Sequence, residues 1–349
     1  MATSVWQVGV LRAGAWTARG LRVPARNALL ADVVHPAAYG RAYGFERMMD
    51  NLGAIFGPLL ALALVASVGL RWAIALSVIP GLLAAAAIVY AIRNTPRPTK
   101  AERIAIRIRI RPVLRGDLGR LMGAITAFEV GNVAATLLIL RATEQLTPDH
   151  GATTATTIAL ALYAVYNLAA TLASLPAGYT ADRIGVRGPV WVLAAGVALF
   201  LAAYLGFAAD TTTIVLMALP FATAGLAIGC VETAQHAAVA ALAPTELRGS
   251  AFGLLAAIQA AGNLAASAIA GILWTAVSPT AAFVYLAVWM ALALVWMLHT
   301  AMRSAPGPDL RRSGIDTHGR RRSVAGVRGC RREVKRFVRP RRVIQRRGD

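Results

Sequence analysis

The chain has 349 residues, of which 57% are hydrophobic and only 15% are charged, and its mean hydropathy is +0.59. This composition excludes an ordinary soluble domain and is typical of a chain with many membrane spans. The formal charge of +20 comes almost entirely from residues 93–120 and 303–349. Because Arg-rich loops beside apolar runs orient membrane helices, we expect no nucleic-acid partner.

Long uncharged runs predict the membrane spans. The first span, 5–31, is interrupted by four arginines and is included because the internal repeat described below requires it. Eight clearer runs follow, and each is long enough for a helix to cross the bilayer. They are 51–70, 72–92, 121–140, 151–181, 188–209, 211–231, 249–277 and 281–302. The sequence therefore predicts an all-α, polytopic membrane protein with about nine transmembrane helices.

The loops alternate in basic charge, which predicts their orientation. Those rich in arginine are expected on the cytoplasmic side of the inner membrane; they are 32–46, 93–120, 178–188, 243–250 and the tail after 302. We expect three helices in 1–92, a basic loop between two halves in 93–120 and six helices in 121–302. The tail, 303–349, is expected to be disordered and cytoplasmic.

Two other features of the sequence bear on partners. The alternating segment 103–112, "RIAIRIRIRP", would be an exposed edge as a strand, and we expect it instead to lie on anionic membrane lipids. Cys230 and Cys330 stand far apart, so no disulfide framework or metal site is predicted, and no cofactor is expected.

An internal repeat joins the two ends of the chain. At an offset of 209 residues, "GRAYGFERMMDNLGAIFGP" at 40–58 aligns three of its four glycines with those of "GSAFGLLAAIQAAGNLAAS" at 249–267, and Tyr43 meets Phe252. Internal duplication is a mark of transporter folds built from two halves around a central site.

At these residues the chain resembles the major facilitator superfamily. "GYTADRIGVRG" resembles the family's loop signature through Gly178, Asp182, Arg183, Gly185 and Arg187. "GAIFGP" resembles its fifth-helix antiporter signature through Gly53, Gly57 and Pro58. The resemblance covers about 1–302 and implies helices four to twelve of a twelve-helix bundle, so that the first three helices are expected to be absent, through a late start site or a truncated gene.

Glu129 and Asn132 are the sharpest functional candidates within the spans. An acidic side chain inside the bilayer is costly, about 3 kcal/mol on insertion scales, and usually faces a cavity. Asn132, three residues on, shares its helical face. Glu129 is therefore expected to bind a proton or a cation; the structural alternative is an ion pair with Arg141 or with a helix of the other half.

A second pair, Glu232 and His236, is spaced i, i+4 on one helical face. A carboxylate beside an imidazole could relay protons near neutral pH. The alternative, to which the sequence gives equal weight, is the polar cytoplasmic end of that helix.

Polar and aromatic positions elsewhere add weaker candidates. Tyr163, Tyr166 and Asn167 form one face; the asparagine favours a cavity over a lipid-facing role. Asp50 is expected in a cytoplasmic gate or in a solvated first turn. The resemblance places Asp182 in a gate loop, while a plain basic turn is the alternative.

Glycine spacing completes the set of candidates. Gly53 and Gly57, like Gly262 and Ala266, form small-residue stripes expected to pack helices closely. Pro58 is a candidate hinge.

The function predicted is secondary active transport of a small solute by alternating access, with proton-coupled efflux implied by the antiporter signature. The chain is not expected to be an enzyme, because it carries no nucleophile or metal cluster and no phosphate-binding motif. It is expected to act as a monomer. The alternative is a truncated, non-transporting or regulatory membrane protein.

Overall fold

The computed structural model describes residues 5–94 and 110–303, and nearly all of them are helical. The α-helices are α1 (Val5–Val33), α2 (Tyr39–Leu76), α3 (Val78–Asn94), α4 (Ile110–Val113), α5 (Gly116–Glu129), α6 (Ala135–His150), α7 (Ala152–Ile184), α8 (Gly188–Ala208), α9 (Ile214–Leu242), α10 (Arg248–Ala276) and α11 (Pro279–Arg303). Short 3₁₀ helices cover Pro36–Ala38 and Thr245–Leu247. Residues 5–94 and 110–303 contain no strand, which agrees with the predicted fold class.

The tail expected in 303–349 lies outside the described residues except for Arg303. The same is true of most of the basic loop 93–120, including all but the last three residues of the alternating segment 103–112. Their predicted disorder and lipid contacts therefore stay predictions.

Six helical stretches in the described ranges are long and apolar enough to cross a membrane. They are Pro36–Ala91, Ala152–Ile184, Gly188–Ala208, Ile214–Leu242, Thr245–Ala276 and Pro279–His299. Because the backbone of each bonds within its own helix, such stretches suit the hydrocarbon interior, and the chain is a multi-pass membrane protein. The number nine stays a prediction: α1 is one continuous helix of 29 residues whose arginines keep it outside these six.

The run 121–140 is not the single span that its apolarity predicts. Helix α5 ends at Glu129 and α6 begins at Ala135, so the chain leaves the helix in the middle of this run. The break is described with the site below, because Glu129 lies at its edge.

Helix α2 is broken next to the boundary predicted between the spans 51–70 and 72–92, and not at the hinge predicted for Pro58. Its backbone is non-helical at Gly69, with φ of 80°, a conformation that glycine adopts without the strain of a Cβ. Pro58, predicted as the hinge, lies inside the helix. A Cβ added at Gly53 or Gly57 would meet nothing within 4 Å in the described structure, so the close packing predicted for this stripe is not seen there.

The C-terminal helices pack around α7 and α9. Helix α7 contacts α9, α2 and α6, while α8 packs on α9 and α11. Small residues allow the closest approach: a Cβ at Gly229 would lie 2.6 Å from the carbonyl oxygen of Ala170. Glycine is therefore required where α9 crosses α7, as is common between helices in membranes.

Candidate functional site

Asp182 joins α7 to the N-terminus of α2. Its Oδ1 accepts the backbone N–H of Gly40 at 2.7 Å, and its Oδ2 accepts the backbone N–H and the Nε–H of Arg41, both at 3.0 Å. A carboxylate at a helix N-terminus satisfies amide groups that have no partner inside the helix. This geometry favours the gate contact over the plain basic turn.

The two backbones touch directly beside this carboxylate. A Cβ at Gly40 would collide with the carbonyl oxygen of Gly178, and a Cβ at Gly178 would collide with that of Gly40. Gly185 ends α7 with φ of 86°, which turns the chain into the loop that carries Arg187. The glycines of the loop signature thus serve close approach and a turn.

A surface cleft of about 560 Å³ lies next to the Asp182 contact. Arg41, Tyr179 and Arg183 are among its lining residues, and the guanidinium of Arg41 lies 5.6 Å from the centre of the Tyr179 ring. Arg183, a predicted gate residue, therefore borders the contact rather than making the ion pair.

Arg248 makes a second connection at the same end of the bundle. It donates to the carbonyl oxygen of Ala31 at 3.0 Å, to the carboxylate of Asp32 at 2.6 Å and to the hydroxyl of Tyr39 at 2.8 Å. These bonds join α10 to α1 and α2. We call the contacts of Asp182 and of Arg248, together with the Gly40–Gly178 approach, the closed end.

Residues equivalent in the repeat meet at the closed end. Tyr39 and Arg248 are separated by the repeat offset of 209 and are hydrogen-bonded. Tyr43 and Phe252 have the same separation, and their ring centres lie 5.9 Å apart. Equivalent residues approach each other where a two-fold axis passes between them. These two contacts are those expected if the two copies of the repeat are related by an approximate two-fold rotation.

His236 completes an aromatic group with these two rings. It lies 5.7 Å from Tyr43 and 6.1 Å from Phe252 between ring centres, and all three side chains are buried. Its Nδ1 lies 2.7 Å from the backbone oxygen of Glu232. The predicted carboxylate–imidazole relay is not formed by the side chains in this arrangement.

The carboxylate of Glu232 instead faces Arg47 of α2, at 3.7 Å. Arg47 is also paired with Glu46 at 2.7 Å and with Asp50 at 2.9 Å, and Arg26 of α1 pairs with both acids. We call these five residues the ion-pair network. It places Asp50 among partners from α1 and α2 while its side chain remains 45% exposed. Because α2 begins at Tyr39, Asp50 lies inside the helix, so the predicted first-turn position is wrong and its role in a gate stays a prediction.

The break at 130–134 is held by side chains from two neighbouring helices. The N–H of Val133 donates to the hydroxyl of Tyr204 at 3.2 Å, and that of Ala134 donates to Oγ of Ser267 at 3.1 Å. Asn263 donates its amide N–H to the carbonyl oxygen of Asn132 at 3.0 Å. Non-helical backbone is tolerated at membrane depth only when its polar groups are satisfied in this way.

Glu129 lies at the edge of the break with only 3% of its surface exposed. Its Oε1 accepts the amide N–H of Gln235 at 2.9 Å, and its Oε2 accepts that of Asn132 at 3.0 Å. Gln235 is in turn bonded to Gln259 at 2.8 Å. Among the described residues Glu129 forms no ion pair, so the carboxylate is held by neutral amides alone.

The structural alternative for Glu129 is wrong in one respect, because Arg141 has other partners. Arg141 is buried and bonds the backbone oxygen of Phe207 and the carboxylate of Asp210.

Asn167 is buried, but its amide N–H is bonded to the backbone oxygen of Tyr163, one turn earlier. This contact does not favour ligand binding over helix packing for Asn167 or Tyr163.

Several residues of the site were missed by the sequence analysis. Gln259 and Asn263 lie in the predicted span 249–277, where a polar side chain needs a partner, and that was the available signal. Gln235 lies beyond the end of the predicted span 211–231, so this signal did not mark it. Within the described ranges, no group of three or more His, Cys, Asp or Glu could hold a metal ion.

The protein is a multi-pass helical membrane protein with an internal repeat in its sequence. One helix is broken beside a buried carboxylate, and residues equivalent in the repeat meet at the closed end. Comparison with known proteins identifies its family. The family model of the Major Facilitator Superfamily matches residues 1–140 and 121–344. The chain belongs to this family, which agrees with the expectation that it is not an enzyme.

Sequence relatives lie in archaea and bacteria. An uncharacterised MFS-type transporter of Methanocaldococcus jannaschii is 30% identical over 270 residues, which are 76% of this chain and 65% of the relative. The match therefore spans slightly less than two thirds of that relative's length. An uncharacterised protein of Mycobacterium tuberculosis is 27% identical over 307 residues, 85% of this chain and 71% of the relative.

Two solved structures share the fold. A bacterial homologue of the iron transporter ferroportin, in its outward-facing state, has a TM-score of 0.59 at 18% identity and matches 79% of this chain and 67% of that one. The human organic anion transporter MFSD10 has a TM-score of 0.53 at 18% identity, with the same coverage. At this identity the likeness supports the helical architecture alone.

Proposed function

We propose that this protein is a secondary active transporter that moves a small solute across the membrane by alternating access and couples that movement to protons through Glu129. The observation that carries the proposal is the buried carboxylate at the broken helix. An acidic side chain at membrane depth is costly and therefore rare, and it marks a functional site by default. Discontinuous helices form the ion and substrate sites of many transporters.

The closed end supports alternating access. Its contacts join α1 and α2 to α7 and α10 through two ion pairs, Arg41–Asp182 and Arg248–Asp32, and through the backbone approach of Gly40 to Gly178. The backbone approach continues one turn along α2, where a Cβ at Gly44 would lie 2.5 Å from the carbonyl oxygen of Ser174. Most of these contacts involve few atoms, so they can separate without unfolding a helix. Helices of the two repeats can then rock about the axis that passes between Tyr43 and Phe252.

We further propose that the closed end is cytoplasmic and that the direction is efflux in exchange for protons. The loops beside the closed end carry the arginines, as positive-inside loops do. Gly53, Gly57 and Pro58 support the antiporter direction through their match to the family signature. On this proposal the exposed apolar faces of α2 and α3 contact lipid, and the protein acts as a monomer.

The proposal is tested by proton-driven flux in vesicles that contain the full chain. A pH gradient is imposed, and the uptake or release of a panel of radiolabelled solutes is measured for wild type and for Glu129→Gln. Glu144→Gln, an exposed carboxylate on α6 that accepts a bond from Trp274, is the matched control.

We expect wild type and Glu144→Gln to show flux that depends on the gradient, whereas Glu129→Gln loses that dependence. Flux with unchanged proton coupling in Glu129→Gln would remove Glu129 from the proposed role. If no solute moves in any variant while the protein is folded in the membrane, the non-transporting alternative is supported.

A further inference from the structure

Gln235 and Gln259 form a hydrogen-bonded series next to Glu129, which we call the amide chain, and all of its bonds point in one direction. Gln259 donates its Nε2–H to Oε1 of Gln235 at 2.8 Å, and Gln235 donates its Nε2–H to Oε1 of Glu129 at 2.9 Å. Each amide therefore turns its N–H toward the carboxylate and its carbonyl oxygen away. Gln235 has no exposed surface, so its two ends must be satisfied inside the protein.

We propose that Gln235 and Gln259 are positioning residues that carry the protonation state of Glu129 to α10. The inference rests on the proposed role of Glu129 as a proton-binding group. A charged carboxylate can only accept hydrogen bonds, whereas a protonated one has an O–H that must face an acceptor. The amide that faces this O–H must present its oxygen.

Reversal of one amide forces reversal of the next. When Gln235 turns its Oε1 to the protonated Glu129, its Nε2–H turns to Gln259, which must then present Oε1 in place of its N–H. The chain has two complete arrangements, one for each state of Glu129. An intermediate arrangement would leave a buried donor or acceptor without a partner, so the two amides change together.

Asn132 is the other amide bonded to Glu129, through Oε2 at 3.0 Å, and it could turn instead. Its backbone oxygen is bonded by Asn263, which fixes the backbone from which its side chain projects. Gln235 has a partner already placed to accept the reversed bond, so the geometry favours the Gln235 route. The Asn132 route is an outcome of the test.

The far end of the chain lies on the face of α10 that forms the closed end. Phe252 and Gln259 are seven residues apart and share one side of the helix. Phe252 packs on Tyr43, and Arg248, one turn earlier, bonds Asp32. A change in the polarity of Gln259 therefore occurs on the same surface of α10 that meets α1 and α2.

Few ionisable side chains lie close enough to Glu129 to change its electrostatic environment. Glu232 of α9 and Tyr204 of α8 are the ionisable side chains of the described residues that interact with it electrostatically. Helix α10 presents Gly262, whose added Cβ would lie 2.5 Å from Cβ of Glu129, and Arg141 of α6 is held by Asp210.

The experiment uses the full chain in lipid nanodiscs with Cys230 and Cys330 replaced by serine. Spin labels on the exposed residues Val33 and Val186 report the separation across the closed end in acidic and alkaline buffer. In the same samples, infrared difference spectra detect the protonated carboxyl band of Glu129, assigned as the band that Glu129→Gln removes.

The variants Gln235→Met and Gln259→Met each break one link with a side chain of similar shape. Gln145→Met is the matched control, because Gln145 bonds Ala209 and Asp210 and is not part of the amide chain. Because the loss of either link should interrupt the amide chain, one folded variant is enough for the test if the other fails to fold.

We expect a pH-dependent label distance in wild type and Gln145→Met, and its loss in both link variants while the Glu129 band persists. A distance change that survives in Gln235→Met or Gln259→Met overturns the relay, and survival in both would indicate the Asn132 route. If wild type lacks the Glu129 band, or if Glu129→Gln keeps the pH response, the proposed function of Glu129 fails instead, and Glu232 becomes the group to examine.

Discussion

Replacement of Gly40 by alanine should open the closed end. A Cβ at this position would lie 2.6 Å from Oδ1 of Asp182 and would collide with the carbonyl oxygen of Gly178. Both atoms are held firmly, one as backbone and the other by bonds to α2. The N-terminus of α2 must therefore move away from α7, and the backbone bonds from Gly40 and Arg41 to Asp182 must lengthen.

The size of the effect follows from the bonds that are disturbed in the closed protein. Hydrogen bonds to a charged group contribute about 1.5–3 kcal/mol each, and two backbone bonds are disturbed, so a loss of about 3 kcal/mol is expected. The ion pair of Arg41, whose side chain is 46% exposed, adds little. The preference of a helix for alanine over glycine acts equally in the open and the closed protein, because α2 is helical in both, and it cancels. A change of about 3 kcal/mol corresponds to a shift of about 150-fold in the ratio of open to closed protein.

The shift is measured with the spin labels on Val33 and Val186 in nanodiscs. Gly53→Ala is the matched control, since it gives α2 the same gain in helix propensity but its Cβ meets nothing within 4 Å. We expect Gly40→Ala to broaden or lengthen the distance distribution and Gly53→Ala to leave it unchanged. Equal distributions in wild type and Gly40→Ala would refute the argument that backbone approach holds this end closed.

Three further substitutions test other contacts. Arg248→Gln removes the bonds that join α10 to α1, and the same labels should report a wider closed end; an unchanged distance would show that these bonds are not needed for closure. Gly262→Ala pushes a Cβ into Glu129 and should lower the free energy of unfolding by about 1–3 kcal/mol. Gly271→Ala has open space around it and should raise the unfolding temperature slightly, because a helix favours alanine over glycine; equal unfolding temperatures in the two variants would contradict the close packing. Arg141→Met leaves a buried carbonyl oxygen unpaired and should cost about 1–3 kcal/mol, which thermal unfolding in detergent measures; no loss would mean that water replaces the guanidinium.

Apolar runs predicted the fold class, because a chain in hydrocarbon has few ways to satisfy its backbone. They did not predict the break at 130–134. Only Gly131 and Asn132 weaken a helix there, a local signal too short to end a span, and the partners of the free N–H groups, Tyr204 and Ser267, lie more than 70 residues away along the chain. The break is stabilised by tertiary contacts that no local pattern contains.

The candidate site was predicted in part for a similar reason. Asp182 was found through a motif, and Glu129 through the cost of a charge inside a span. The partners of each came only from the structure. The spacing of Glu232 and His236 gave the correct shared face, but Arg47 of another helix attracts the carboxylate. Helical spacing shows which side chains are neighbours and leaves open which of them bond.

The two copies of the repeat keep some positions alike and differ at others. Tyr43 and Phe252 are equivalent in the repeat, and both are aromatic and pack together. Asp50 belongs to the ion-pair network, and its counterpart Gln259 begins the amide chain to Glu129. One copy of the helix therefore holds α1 and α2 together by charge, and the other can respond to a proton. If the closed end opens when Glu129 is protonated, the asymmetry of these two positions makes the response directional, because only α10 receives the signal.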